Sequence, residues 1–131
     1  MAVDYAKTRV QFNRPIGSFQ AIKHLCADLH VAVECARSAV YAAAAIASTS
    51  PASDELSDLA SIASTRAGEA YFRAAAENLQ IHGGVGFTWE HDAHLHLKRA
   101  RAGLSFLGTP SFHRLRLASR LLDPTAPTAP Q

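Results

Sequence analysis

The stretch PASDELSDLASIASTRAGEAYFRAAAENLQIHGG, Pro51 to Gly84, decides the fold. Leu56, Leu59, Ala60, Ala63, Ala67, Ala70, Tyr71 and Ala74 recur at three- and four-residue intervals, the spacing of one buried face of a helix. Pro51 suits a first helical position, and Asp54 and Glu55 suit the positive end of a helix. Gly83-Gly84 stops it. The pattern predicts a helix from Ala52 to Ile81, with Gly68 as a point of close approach by a neighbour.

Outward from that helix the chain repeats the same logic. Ile22, Leu25, Cys26, Leu29, Val33, Ala36, Val40, Ala43 and Ala44 form a second stripe, on a helix capped by Ser18 and running to Ser48. Before it, Ala2 to Phe12 reads as helix without a start signal, broken by Asn13-Arg14-Pro15-Ile16-Gly17. Val85 to Trp89 reads as loop and Glu90–Ser105 as helix. Gly108-Thr109-Pro110 is a stop-start signal, with Thr109 capping a last helix that ends near Leu122. No strand is predicted. These elements define an all-α fold, an antiparallel helical bundle of four-helix type over residues 1–122. Residues 123–131, DPTAPTAPQ, have the composition of a disordered Pro-rich tail.

Composition agrees. Of the 131 residues, 48% are hydrophobic but only 8% aromatic, so Ala, Leu, Val and Ile dominate, a balance suited to packed helices. A net charge of +2 gives no argument for nucleic acid. Charge is uneven, however: from Ala93 to Leu122 there is no Asp or Glu, while arginines stand at 99, 101, 114, 116 and 120. That asymmetry suggests a local anionic partner, against the simpler alternative of a solvated basic face. Cys26 and Cys35 are nine residues apart on one predicted helix, about 13 Å along its axis and on opposite faces, and cannot bond within it. They read as reduced, buried thiols of a cytoplasmic protein. No signal peptide is expected, and charges at helical spacing argue against a membrane span.

Several side chains bear on chemistry. His91, His94 and His96 lie beside Asp92, but His96 points away from His94 and no second cluster completes a metal site, so helix capping and hydrogen bonding suit them better. His82-Gly83-Gly84-Val85-Gly86-Phe87 is no dinucleotide fingerprint, since it follows a helix and lacks the third glycine. It is either a helix C-cap or a place where backbone approaches a ligand closely. Gln80, and Arg9, Gln11, Phe12 and Gln20 around the first turn, form a polar set in which Arg9 best suits an anion. Ser105 and Ser111 lie near His113 without an acid to orient it, so no nucleophile–base arrangement is indicated.

Three segments together resemble the C-terminal helical domain of the acyl-CoA dehydrogenases. They are YAKTRVQFNRPIGSFQAIKHLCADL (Tyr5–Leu29), AENLQIHGGVGFTWEHDAHLHLKRA (Ala76–Ala100) and FLGTP (Phe106–Pro110). They stand in the family's order and spacing, and the similarity runs from Tyr5 to Leu122. The resemblance implies a flavoprotein that dehydrogenates acyl-CoA thioesters between the α and β carbons and passes electrons to an electron-transfer flavoprotein. It implies further that FAD lies between domains and across a subunit interface of a homo- or hetero-oligomer. Arg9 and Phe12 match the family's Arg-x-x-Phe motif at the FAD pyrophosphate, with Gln11 inside the contact, and Gln20 matches the Gln of the Phe-Gln pair near FAD. Gln80, Gly83 and Gly84 match Gln-Ile-x-Gly-Gly, which packs backbone against the adenosine–pyrophosphate portion. Thr109 matches the Thr of the Glu-Gly-Thr turn near the flavin.

Two residues depart from the pattern. Asn13 replaces the usual Gly after Phe12, a mild change because Asn tolerates left-handed geometry. Leu107 occupies the position where many members keep the catalytic glutamate, and an alkyl chain accepts no proton. No catalytic residue is therefore assigned in this chain. The turn lacking glutamate and TWEHDAH resemble a bacterial subset of heteromeric dehydrogenases whose partner subunit brings the base. The chain reads as a fragment or gene piece of the longer enzyme, inactive alone. The alternatives are a non-catalytic partner subunit that completes a neighbour's FAD site, and a bundle that only oligomerises.

Overall fold

In a computed structural model, which describes residues 1–106 and 108–122, five α-helices and one small hairpin account for most of the described residues. The helices are α1 (Ala2–Thr8), α2 (Gln20–Thr49), α3 (Asp54–His82), α4 (Ala93–Phe106) and α5 (Pro110–Leu122). The extensive contacts among the long helices all involve α3, which α2, α4 and α5 each pack against. Leu107 and the tail 123–131 lie outside the described residues.

Because α3 is covered from more than one side, its buried set exceeds one apolar stripe. Ala63, Ala70, Ala75, Leu79 and Ile81 are buried, and so are Ser61, Thr65, Asn78 and His82. The hydroxyls are satisfied within the helix: Ser61 donates to the Ser57 carbonyl and Thr65 to that of Ser61. Ala60 and Tyr71, expected in the stripe, are exposed. Gly68 does pack closely, since a Cβ there would stand 3.3 Å from Leu104 Cδ2. On α2 the inward face is Leu25, Leu29, Ala32, Ala36, Ala39, Ala43 and Ile46. That is a seven-residue repeat suited to two long helices running side by side. Val33, Val40 and Ala44 fall on its exposed shoulder. Cys26 is half-buried, but Cys35 is exposed, contrary to the expectation of two buried thiols. By length and composition alone α2 is apolar enough to cross a membrane; here it lies along α3.

The helix ends correct several boundaries. α3 starts at Asp54 rather than Ala52, so Pro51 is not its first helical residue, and Ser53 caps it, its Oγ accepting from the Leu56 N–H at 3.1 Å. Ser18 does not cap α2; it belongs to a 3₁₀ turn, Ile16–Ser18, and Phe19 takes the cap position without a side-chain bond. Gly83 ends α3 at φ +60°, as its placement predicts, but the chain continues as a 3₁₀ turn over Gly83–Phe87 rather than an open loop. α4 starts at Ala93, three residues later than expected, because His91 Nδ1 accepts the Ala93 N–H at 3.1 Å.

The first break holds two short strands that the helical reading missed. α1 ends at Thr8, and β1 (Val10–Gln11) pairs antiparallel with β2 (Arg14–Pro15), Val10 opposite Pro15 and Gln11 opposite Arg14. Phe12 and Asn13 form the two-residue loop, both left-handed (φ +52° and +62°), the geometry of a twisted hairpin turn. Asn13 bears out its tolerance of that region. Phe12 is an aromatic residue in a conformation that L-residues avoid.

The acid-free segment faces α3. Arg120 pairs with Asp54 at 2.9 Å and Asp58 at 2.8 Å, Arg114 with Glu69, and Arg116 donates to Ser57 Oγ. The hydrogen bond from Arg120 holds the Asp54 carboxyl below its ordinary value of 3.8, and Asp54 in turn raises Arg120. For Arg114 and Arg120 the anionic partner is the chain's own third helix, which corrects the expectation of an external one; Arg116 meets a neutral hydroxyl of the same helix.

Candidate functional site

Ala6, Ile16 and Ile81 form a buried cluster that fastens α1 and the hairpin to the end of α3, with Tyr5, Phe19, Ile22, Leu25 and Cys26 packed around it. Gly17 permits this junction: a Cβ would meet the Ala6 carbonyl oxygen at 2.8 Å. The Ile16 N–H donates to the Arg9 carbonyl at 2.8 Å, closing the hairpin back on the helix end. His82 is buried, its Nδ1–H donating to the Asn78 carbonyl at 2.7 Å. Its ring stacks on Tyr5 at 4.2 Å and meets the His91 ring at a 49° tilt, 4.3 Å between centroids. One buried imidazole thus ties α1, α3 and the approach to α4 together.

This junction forms the wall of a cleft of about 540 Å³. Arg9, Gln11 and Phe12 reach it from the hairpin side, Gln80, Gly83 and Gly84 from the end of α3, and Tyr5, Ile16, Phe19 and Ile22 line it with apolar surface. Six of the eight residues expected to touch cofactor therefore meet in one place. Arg9 is exposed and forms no ion pair among the described residues. Gly83 and Gly84 leave open space where a Cβ would stand, with nothing within 4 Å. A free guanidinium beside bare backbone, over an apolar floor, suits a phosphate joined to a flat ring system. The donor set fits a dinucleotide cofactor such as FAD.

The other two residues lie elsewhere. Gln20 is the exposed first residue of α2 and does not line the cleft. Thr109 caps α5, its Oγ1 accepting from the Phe112 N–H at 3.2 Å. Thr109 does not line a cleft; its neighbours Gly108 and Pro110, with the buried His113, form one wall of a different cleft of about 410 Å³ between α3, α4 and the start of α5. Leu107 is outside the described residues, so its place relative to that wall is a matter of sequence. Sequence reasoning missed Tyr5, His82 and Phe19. His82 was legible, standing between Gln80 and Gly83; Tyr5 and Phe19 carried no signal apart from the hairpin that gathers them. Among the described residues no three His, Cys, Asp or Glu side chains converge as metal ligands. His91 acts as a helix cap, and His94 Nδ1–H donates to the His91 carbonyl at 2.7 Å.

The fold is a helical domain whose cleft presents open backbone and one exposed guanidinium. Residues 1–122 match the family model described as acyl-CoA dehydrogenase, C-terminal domain. The chain belongs to the acyl-CoA dehydrogenase family, as this C-terminal domain. It is 46% identical over 123 residues to the acyl-CoA dehydrogenase IpdE2 of Mycobacterium tuberculosis, covering 94% of this chain and 36% of that protein. Among solved structures it resembles the ChsE4-ChsE5 complex of Mycobacterium tuberculosis, with TM-score 0.87 and 32% identity over 96% of this chain and 34% of that one. Butyryl-CoA dehydrogenase of Megasphaera elsdenii is similar at TM-score 0.84 and 32% identity, over 92% and 31%. The chain spans about a third of the length of the relatives it matches here.

Proposed function

We propose that this chain is the FAD-binding and subunit-interface part of an FAD-dependent acyl-CoA dehydrogenase acting in a cytoplasmic oligomer on acyl-CoA thioesters. The observation that carries the reading is the convergence of Arg9, Gln11, Phe12, Gln80, Gly83 and Gly84 on one cleft. Arg9 would neutralise the cofactor's pyrophosphate, and Gly83–Gly84 would let it approach the backbone. Gln11 and Gln80 would supply amide hydrogen bonds at the rim, and the exposed Phe12 ring an apolar cover. Gln20 and Thr109, outside the cleft, would meet cofactor only in the assembled enzyme. FAD, when bound, supplies the hydride acceptor for α,β-dehydrogenation; reoxidation falls to an electron-transfer flavoprotein. The chain alone is inactive in this reading.

A second reading concerns its role within such an oligomer. Leu107 and the acid-free run Ala93–Leu122 leave no carboxylate at the turn where the family often keeps its base. The chain would then be the non-catalytic partner that completes the FAD site of a glutamate-bearing subunit. The heteromeric ChsE4-ChsE5 complex among its structural neighbours supports that arrangement. Co-expression with a glutamate-bearing acyl-CoA dehydrogenase subunit tests both. The expected product is a co-purifying yellow complex that dehydrogenates acyl-CoA only while the partner's glutamate is intact. Turnover that survives loss of that glutamate would refute the second reading. A colourless chain that binds no such partner would refute both.

A further inference from the structure

The hairpin carries a second arginine that the cofactor reading leaves unused. Arg14 stands opposite Gln11 across the two short strands, exposed and in no ion pair among the described residues. Unlike Arg9 it does not line the cleft. Its guanidinium lies over the Phe19 ring instead, Cζ 4.0 Å from the ring centroid. There the cation meets the electron-rich face of the ring, an attraction that persists at an exposed site.

Phe19 is anchored. Its N–H donates to the Ile16 carbonyl at 3.1 Å, its carbonyl accepts from the Lys23 N–H at 3.1 Å, and its half-buried ring packs on the cluster of Ala6, Ile16 and Ile81. Phe12 is less so: it is 86% exposed, on a left-handed loop at φ +52°. Such strain persists only where the surroundings hold it. Its ring meets the Phe19 ring edge-on, with centroids 6.1 Å apart and planes at 83°. Both rings line the cleft, so a line of contacts runs from Arg14 outside it, through Phe19, to Phe12 at its wall. We propose that Arg14 is a positioning residue for the cofactor. Stacked on Phe19, it holds the Phe19–Phe12 pair as a preformed aromatic wall for the flat ring system joined to the pyrophosphate. This rests on the reading of the cleft as the cofactor site. Arg14 acts through the ring, and the phosphates are left to Arg9. Without Arg14, the ordering of the two rings falls on the binding step.

Equilibrium FAD binding to the flavin-stripped complex of this chain with a glutamate-bearing subunit tests this. The variants are Arg14→Ala, Arg14→Lys, Phe19→Leu and the double variant Arg14→Ala with Phe19→Leu, with Arg9→Ala alongside. Arg14→Ala should weaken FAD binding roughly fivefold, the size of one cation–ring contact, and leave the urea midpoint of the chain unchanged. Arg14→Lys keeps a cation above the ring and should stay within about twofold of the parent. In the Phe19→Leu background, Arg14→Ala should have no further effect, because the ring it acts through is gone. A loss that persists in that background would put Arg14 on the cofactor itself and overturn the proposal. So would a lowered urea midpoint, or Arg14→Lys binding as weakly as Arg14→Ala. Parent-like binding by Arg14→Ala while Arg9→Ala weakens FAD would overturn this proposal alone. Parent-like binding by both would overturn the cofactor reading of the cleft with it.

Discussion

Gly17→Ala places one methyl group where the hairpin meets α1. Its Cβ would stand 2.8 Å from the Ala6 carbonyl oxygen and 3.2 Å from the carbonyl carbon. Ordinary contact begins at 3.4 Å, so the two segments must part by about 0.6 Å. Both of these contacts are with backbone atoms, with no flexible side chain to swing aside, and Ala6 is only 4% exposed. The shift is paid by the cluster of Ala6, Ile16 and Ile81 and by the Ile16–Arg9 hydrogen bond. Overpacking of this kind costs about 1–3 kcal/mol. Replacing Gly stiffens the unfolded chain and returns roughly 0.4–1 kcal/mol, leaving a net loss of about 0–2.6 kcal/mol. Urea unfolding followed by far-ultraviolet circular dichroism should show a lower midpoint with unchanged slope. Gly84→Ala is the control: nothing lies within 4 Å of its Cβ, and its stability should match the parent's or exceed it by up to about 1 kcal/mol. A Gly17→Ala midpoint above the parent's would refute the close contact between α1 and the hairpin.

Other outcomes follow from the same packing. Ile81→Ala removes the α3 member of the buried cluster and should cost about 2–4 kcal/mol in the same assay. Ser53→Ala removes the side chain that accepts the Leu56 N–H and should cost about 0.5–2 kcal/mol, with fraying confined to the start of α3 in hydrogen exchange. Asp54 is held below its ordinary 3.8 by the Arg120 hydrogen bond. Its contribution is present above that value and lost as pH falls through the lowered one. Urea midpoints from about pH 5 to about pH 2 should therefore fall less steeply in Asp54→Asn than in the parent.

The sequence made the helices legible because each carries a long stripe and plain stops. Gly83 and Thr109 act where their chemistry put them, as a left-handed helix end and a cap. What it hid depended on contacts between segments. The hairpin escaped because its strands are two residues long, too short for an alternating pattern, and its turn uses Phe12 in place of Gly. Ser61, Thr65 and His82 did not look buried, since nothing local announces that α3 is covered on several sides or that each polar group finds a carbonyl four residues back. The arginines of α5 looked like a site for an outside anion because their carboxylates lie 45 to 66 residues earlier in the chain. Six of the candidate site residues were readable from motif and resemblance. Their convergence depended on the junction through Gly17, Tyr5 and His82, which the motifs did not describe.

The central claim is that Arg9 and the bare backbone at Gly83–Gly84 receive the pyrophosphate of a flavin dinucleotide. The direct measurement is equilibrium binding of FAD, and of riboflavin as the analogue lacking pyrophosphate, to the flavin-stripped complex of this chain with a glutamate-bearing subunit. The parent is compared with Arg9→Ala. Loss of a charge-assisted contact predicts FAD binding weaker by roughly tenfold or more, with riboflavin unchanged. FAD affinity that survives Arg9→Ala, or an equal loss for both ligands, would contradict the account.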